Sequence, residues 1–347
     1  MKLSRFPQLD GLRALAVACV MAYHFIPGVD RAAPLGAIGV RLFFVISGLL
    51  ITRILVSSRD LEIPQALRRF YLRRSLRIFP LFYLVLALAA AINIGPVRDT
   101  LGWHVSYLTN IYLFNRGSWH GSISHLWSLA VEEQFYLVWP FVMLMVPERR
   151  LPAVITAMMV AAPVSRLLIG GPMNSVLPMG CVDALGAGAL LALPSPRRPV
   201  MATGVVMGVP VMFGALALRY AGYGGVPLEV ALDCGVSLCA AWLVGKAASG
   251  FSGAVGSVLV AKPIAYLGTI SYGLYLYHGF MPYVLGRYVS GFAEMAWPAR
   301  ALLLTMATVI TAAVSWRVFE APILRLKDRL TSTRSIRALA FPSFRPS

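Results

Sequence analysis

The sequence predicts an all-α, polytopic transmembrane helical bundle of about ten spans, with both termini cytoplasmic. Three observations predict it. Of 347 residues, 58% are hydrophobic and only 13% charged, with a mean hydropathy of +0.73. A soluble domain of this size needs far more charge on its surface. Apolar runs long enough to cross a bilayer recur from end to end. Finally, the basic residues gather in alternate loops, as the positive-inside rule requires.

The expected spans are 10–28, 36–56, 75–95, 126–147, 151–169, 176–193, 199–219, 227–247, 265–286 and 299–319. The first carries Asp10 and Arg13 and lacks a small-residue cleavage site, so it reads as a retained helix and not a signal peptide. Lys2 and Arg5 precede it. Arg59, Arg68, Arg69, Arg73, Arg74 and Arg77 crowd the approach to the third span. Arg149 and Arg150, Arg197 and Arg198, then Lys246 and Lys262 mark later loops on the same side, and Arg325, Lys327, Arg329, Arg334 and Arg337 fill the tail. Opposite loops carry mostly single arginines: Arg31, Arg98, Arg116, Arg219 and Arg287.

That distribution makes the formal charge of +17 a topology signal and not a nucleic-acid footprint. The aromatic, amphipathic stretch 100–115 is expected to be interfacial or re-entrant. Residues 1–330 form the membrane domain, and 331–347 a basic, disordered cytoplasmic tail. Cys19, Cys181, Cys234 and Cys239 show neither disulfide nor zinc spacing and read as packing residues, and no metal site is expected. Without a Walker loop, dinucleotide fingerprint or HExxH helix, ATP hydrolysis and hydride transfer have no support.

Ionisable groups inside apolar helices are costly and mark function. Arg13 and His24 share a face of the first span, about 16 Å apart along the axis. Arg13 is either a snorkelling residue or an anion contact in a cytoplasm-facing channel. His24 is either a hydrogen-bonded histidine or a general base near neutral pH. Arg41 either snorkels or holds an acidic partner across a cavity. Arg74 and Arg77, at i, i+3, suit a phosphate-bearing ligand, although their loop also determines topology. In the fourth span, His125, Ser128, Glu132 and Trp139 fall on one helical face, with Glu133 about a quarter-turn away. Glu132 is the candidate histidine partner or acceptor contact. Ser271, Tyr275 and His278 share a face of the ninth span, where Tyr275 and His278 either cross-link helices or meet the cavity.

Six stretches in order, LDGLRALAVACVMAYHF, GVRLFFVISGLLIT, RRSLRIFPLFYL, SHLWSLAVEEQFYLVWP, ISYGLYLYHG and WRVFEAPI, resemble the acyltransferase-3 family of integral membrane O-acyltransferases. The resemblance implies transfer of an acyl group, commonly acetyl, from cytoplasmic acyl-CoA to a hydroxyl of an envelope or extracellular polysaccharide. It makes the Arg13/His24 pair and the Arg74/Arg77 pair functionally important, and places the glutamate of the family's WSLxVE signature at Glu132. Many members carry aspartate where Arg41 stands. Some append a soluble extracytoplasmic domain, which this sequence, ending in a basic tail, is expected to lack.

In the mechanism this implies, Arg74 and Arg77 hold the CoA phosphates, the pantetheine arm passes Arg13, and His24 acts with Glu132 as its orienting acid. His278 or Tyr275 donates to the oxyanion. Acyl-CoA is expected as a donor substrate with no permanently bound cofactor. A glycan or lipid-linked glycan is the expected acceptor, in a bacterial cytoplasmic membrane. The rival readings are an acyltransferase for a small lipid or macrolide-type acceptor, and a transporter or flippase using the buried charges as a relay.

Overall fold

The computed structural model describes residues 6–171, 173–193 and 197–330, without the side chains of 31–32, 197–199 and 327–330. The expected tail 331–347, with Lys2 and Arg5, lies outside them.

Among the described residues every regular element is a helix. The principal ones are α1 (Pro7–Phe25), α2 (Leu35–Val56), α3 (Ile63–Ala91), α4 (Leu126–Met145), α5 (Leu151–Ile169) and α6 (Val182–Ala192). They continue with α7 (Arg197–Val206), α8 (Gly208–Tyr220), α9 (Val226–Ser249), α10 (Lys262–Thr269), α11 (Ser271–His278), α12 (Met281–Tyr288) and α13 (Trp297–Ser315). A π-turn, Trp316–Glu320, joins α13 to a final helix, Ala321–Leu330.

Six helices are long and apolar enough to cross a membrane by length and composition: Leu35–Val56, Ile63–Ala91, Glu148–Ile169, Val200–Tyr220, Val226–Ser249 and Trp297–Leu326. The α2 window is 61% buried, whereas the fifth-helix, Val200–Tyr220 and Trp297–Leu326 windows are each 17% buried. The first is therefore central, and the other three turn apolar sides outward. Leu168, Val318 and Leu137 are 81%, 72% and 64% exposed, which is a surface that lipid satisfies and water does not.

Close approach at the centre depends on missing side chains. A β-carbon on Gly48 of α2 would overlap the Leu185 carbonyl of α6, and one on Gly188 of α6 would overlap the Val45 carbonyl of α2. The two helices therefore touch backbone to backbone, as small-residue membrane interfaces do. On the other flank, Gly268 of α10 lies against the Asp10 carbonyl of α1.

Several expected spans are interrupted. The stretch expected as one span at 265–286 is three eight-residue helices, α10 to α12, broken at Ile270 and at Gly279–Phe280. The 199–219 stretch divides at Met207, where Pro210 cannot donate to the carbonyl four residues earlier. The 176–193 stretch is a helix only over Val182–Ala192, after two 3-10 turns at Asn174–Val176 and Pro178–Gly180. The aromatic stretch 100–115 is two short helices, Leu101–Val105 and Thr109–Arg116. His104, fully buried, bonds Thr100 Oγ1 and Thr109 Oγ1 at 2.8 Å each. Gln134 of α4 exchanges 3.0 Å hydrogen bonds with Asn110 and donates to the Tyr107 carbonyl at 2.7 Å. This segment is docked on the bundle.

Candidate active site

The ionisable residues divide between two cavities. The smaller, about 90 Å³, is lined by Arg13 of α1, Arg74 and Arg77 of α3, Ser47 of α2 and Glu132, Glu133 and Tyr136 of α4. Three cations and two carboxylates thus meet in one small space. Arg13 pairs with Asp10 one turn back at 3.3 Å. The Arg74 guanidinium lies 5.0 Å over the Tyr136 ring, and the Tyr136 and Ser47 hydroxyls are hydrogen-bonded to each other. Glu133 Oε1 is buried without a partner. Ser271 lines the same cavity.

The larger cavity, about 900 Å³, contains His24, His125, Arg41, Asp233, Trp119 and Trp127 in its lining. His24 is exposed to it. Its Nδ1–H donates to the Val20 carbonyl at 2.9 Å. In the neutral ring that bond assigns the proton to Nδ1 and leaves Nε2 as an acceptor. The lining of this cavity and that of the smaller one share Val40, Phe44 and Tyr275. Those three side chains form the wall between an arginine-rich compartment and a histidine-bearing one.

Behind His24 stand two more imidazoles. His278 is fully buried, with its ring centroid 4.9 Å from both His24 and His125. His278 Nδ1–H donates to the Tyr275 carbonyl at 2.6 Å, and its Nε2 has no partner. His125 Nε2–H donates to the Leu276 carbonyl at 3.1 Å. The break after α11 makes room for this cluster, because any side chain at Gly279 would run into the His125 ring. The Tyr275 hydroxyl donates to the His125 carbonyl at 3.0 Å and is hydrogen-bonded to Ser128 Oγ at 2.6 Å.

The face predicted on α4 is therefore split by depth. His125 joins the histidine cluster, whereas Ser128, bonded to Tyr275, and Glu132 line the arginine cavity, apart from His24. The expected arrangement with Glu132 orienting the His24 imidazole is not what the structure builds: a backbone carbonyl takes that position. Trp139, lower on the same face, is buried and donates from Nε1 to Thr52 Oγ1 at 2.8 Å, as a packing residue.

Arg41 does not snorkel. It is buried, bonds both carboxylate oxygens of Asp183 at 3.0 and 3.1 Å and Ser237 Oγ at 2.8 Å, and pairs with Asp233 at 2.5 Å. Arg166 of α5, fully buried, reaches the same two acids at 3.0 and 3.3 Å. Two arginines and two aspartates thus balance their charge inside the bundle. Sequence reasoning found only Arg41 of this group. The signal was present, since Arg166, Asp183 and Asp233 each interrupt an apolar run. Among the described residues, no three His, Cys, Asp or Glu side chains are grouped so as to hold a metal ion.

A helical membrane fold with a histidine facing one cavity and an arginine cluster lining another is the frame the six sequence stretches call for. The acyltransferase domain model of the acyltransferase-3 family matches residues 6–317, and the chain belongs to that family. Among its relatives is the peptidoglycan O-acetyltransferase OatA of Listeria monocytogenes, 30% identical across 91% of this chain and 55% of the relative. The putative peptidoglycan O-acetyltransferase YrhL of Bacillus subtilis is 32% identical across 91% of this chain and 54% of its own length. The O-acetyltransferase OatA of Staphylococcus aureus is 29% identical, across 91% and 57%. The chain thus spans just over half the length of these relatives. No solved structure matches it.

Proposed function

We propose that this chain is a multi-pass O-acyltransferase of a bacterial cytoplasmic membrane. It moves an acyl group, most simply acetyl, from cytoplasmic acyl-CoA to a hydroxyl of an envelope or extracellular polysaccharide. One observation carries the reading: α1 presents Arg13 to an arginine-rich cavity and, eleven residues on, an imidazole nitrogen to a separate large one. Family membership and the O-acetyltransferase names of the relatives support it. In the ten-span topology, with termini inside, the small cavity faces the cytoplasm and the large one the outer side.

Arg74 and Arg77 hold the phosphates of acyl-CoA by charge-assisted hydrogen bonds. The pantetheine arm passes Arg13 and the Val40–Phe44–Tyr275 wall to bring the thioester to His24. His24 Nε2 takes the proton of the acceptor hydroxyl as its oxygen attacks the thioester carbonyl. The carbon–sulfur bond breaks, and the departing thiolate receives that proton, leaving an ester and free CoA. A two-step route, with the acyl group first on the imidazole, uses the same nitrogen. Glu132 and Glu133 in this scheme hold the arginines in place until the phosphates arrive.

Mass spectrometry of envelope polysaccharides and lipids tests the reading in a deletion strain that expresses either the unaltered protein or His24→Ala at equal abundance. One acyl increment on the polysaccharide with the first and none with the second is expected. An increment that survives His24→Ala removes the histidine as base, and an increment only on lipid removes the polysaccharide acceptor. Arg74→Ala is expected to raise the KM for acyl-CoA; an unchanged KM sinks the docking site.

A further inference from the structure

The large cavity has two walls that the transfer chemistry leaves unused. One is aromatic: Tyr23 and Trp119, 39% and 49% exposed, with Trp127 behind at 6.4 Å from the Trp119 centroid. The other is charged, with Arg41, Asp233 and Glu229.

The loop carrying Trp119 is held by the His120 amide, which donates to Ser124 Oγ at 2.8 Å, and by a 2.7 Å hydrogen bond between His120 Nδ1 and the Tyr112 hydroxyl. Partial burial and nearby Arg116 hold the His120 imidazole below its ordinary range, against the pull of Asp99. Asp233 is fixed by Arg41 at 2.5 Å and Arg166 at 3.3 Å, yet its side chain remains 18% exposed. A carboxylate has more lone pairs than those two contacts use.

An exposed indole face and carboxylate acceptors lining one cavity match a sugar. A pyranose ring offers an apolar C–H face that packs on an aromatic ring and a rim of hydroxyls that donate to carboxylates. An acyl chain in the same space would strip water from Asp233 and Glu229 and return nothing. The volume falls in the range of specific small-ligand pockets. We propose that this cavity is a saccharide subsite in which Trp119 carries one face of an acceptor ring and Asp233 accepts its hydroxyls, presenting a neighbouring hydroxyl to His24. Only the last clause rests on the acyltransferase reading.

The test is saturation-transfer NMR on the full chain in lipid nanodiscs, since a glycoside detergent would compete. The probes are β-1,4-linked tetramers of N-acetylglucosamine and of glucose, without acyl donor. Transfer strongest at ring C–H protons is expected, with the Kd raised at least tenfold by Trp119→Ala and largely restored by Trp119→Phe. A Kd within twofold of the parent in Trp119→Ala overturns the subsite, as does absence of transfer to both tetramers. Binding that depends on Trp119 in a protein that acylates no glycan upholds the subsite and sinks the transfer reading. Acylation indifferent to Trp119 does the reverse.

Discussion

His24 shows how one side chain in an apolar helix acquires a role from its backbone. The bond to Val20 uses Nδ1, so the nitrogen left for chemistry is Nε2, on a ring that lines the large cavity. His24→Gln keeps a hydrogen-bonding group there but cannot accept and release a proton. It is expected to cut acyl transfer about 100-fold or more, with thermal unfolding unchanged. A matching loss of folded protein would assign His24 to structure. The Arg41 cluster behaves in the opposite way. Arg41→Ala leaves the buried Asp183 and the partly buried Asp233 with one arginine between them, and removing one partner of a buried pair costs about 3–5 kcal/mol. A thermal melt in detergent should therefore fall sharply for Arg41→Ala. Arg41→Lys should recover only part, since an ammonium cannot span both acids as the fork does.

At the scale of elements, contact without side chains sets the helix positions. Gly48→Val puts branched carbons where the Leu185 carbonyl stands, so α2 and α6 must separate. The expected result is loss of folded protein by gel filtration, whereas Gly102→Ala, with open space around it, changes nothing. Gly279→Ala tests the break between α11 and α12 more finely. The added methyl meets the His125 ring and should displace it from the Leu276 carbonyl, with activity falling more than stability. Equal losses in both would assign Gly279 to packing alone.

Across the whole molecule, the wall of Val40, Phe44 and Tyr275 keeps the two cavities apart. In the proposed cycle that wall also keeps water on the histidine side from the thioester until an acceptor is present. Tyr275→Ala joins the cavities and removes the hydroxyl that ties Ser128 to the His125 carbonyl. Thiol release from acyl-CoA without acceptor is then expected to rise several-fold while ester formation falls. Unchanged thiol release would mean that the tyrosine does not separate donor from solvent.

The sequence by itself determined that the chain is a helical membrane protein, because the apolar excess and the alternating loop charge depend on no contact. It also flagged most candidates of the site, because a charge in an apolar run stands out wherever the helix ends up, although Arg74, expected in a loop, stands inside α3. What it could not supply was depth and partnership. The 3.6-residue period put His125 and Glu132 on one face, but they lie two turns apart, and only tertiary packing around α4 sends them to different cavities. Arg41 likewise announced an acidic partner without naming it. Asp183 and Asp233 lie 142 and 192 residues away, and no local rule links them. The breaks within 199–219 and 265–286 belong to the same class, since a hydropathy window averages over a turn that tertiary packing bends. Periodicity and composition are properties of neighbours in the chain, and they fixed the elements. Burial, pairing and cavity walls are properties of neighbours in space, and those were decided by glycines that let particular helices touch.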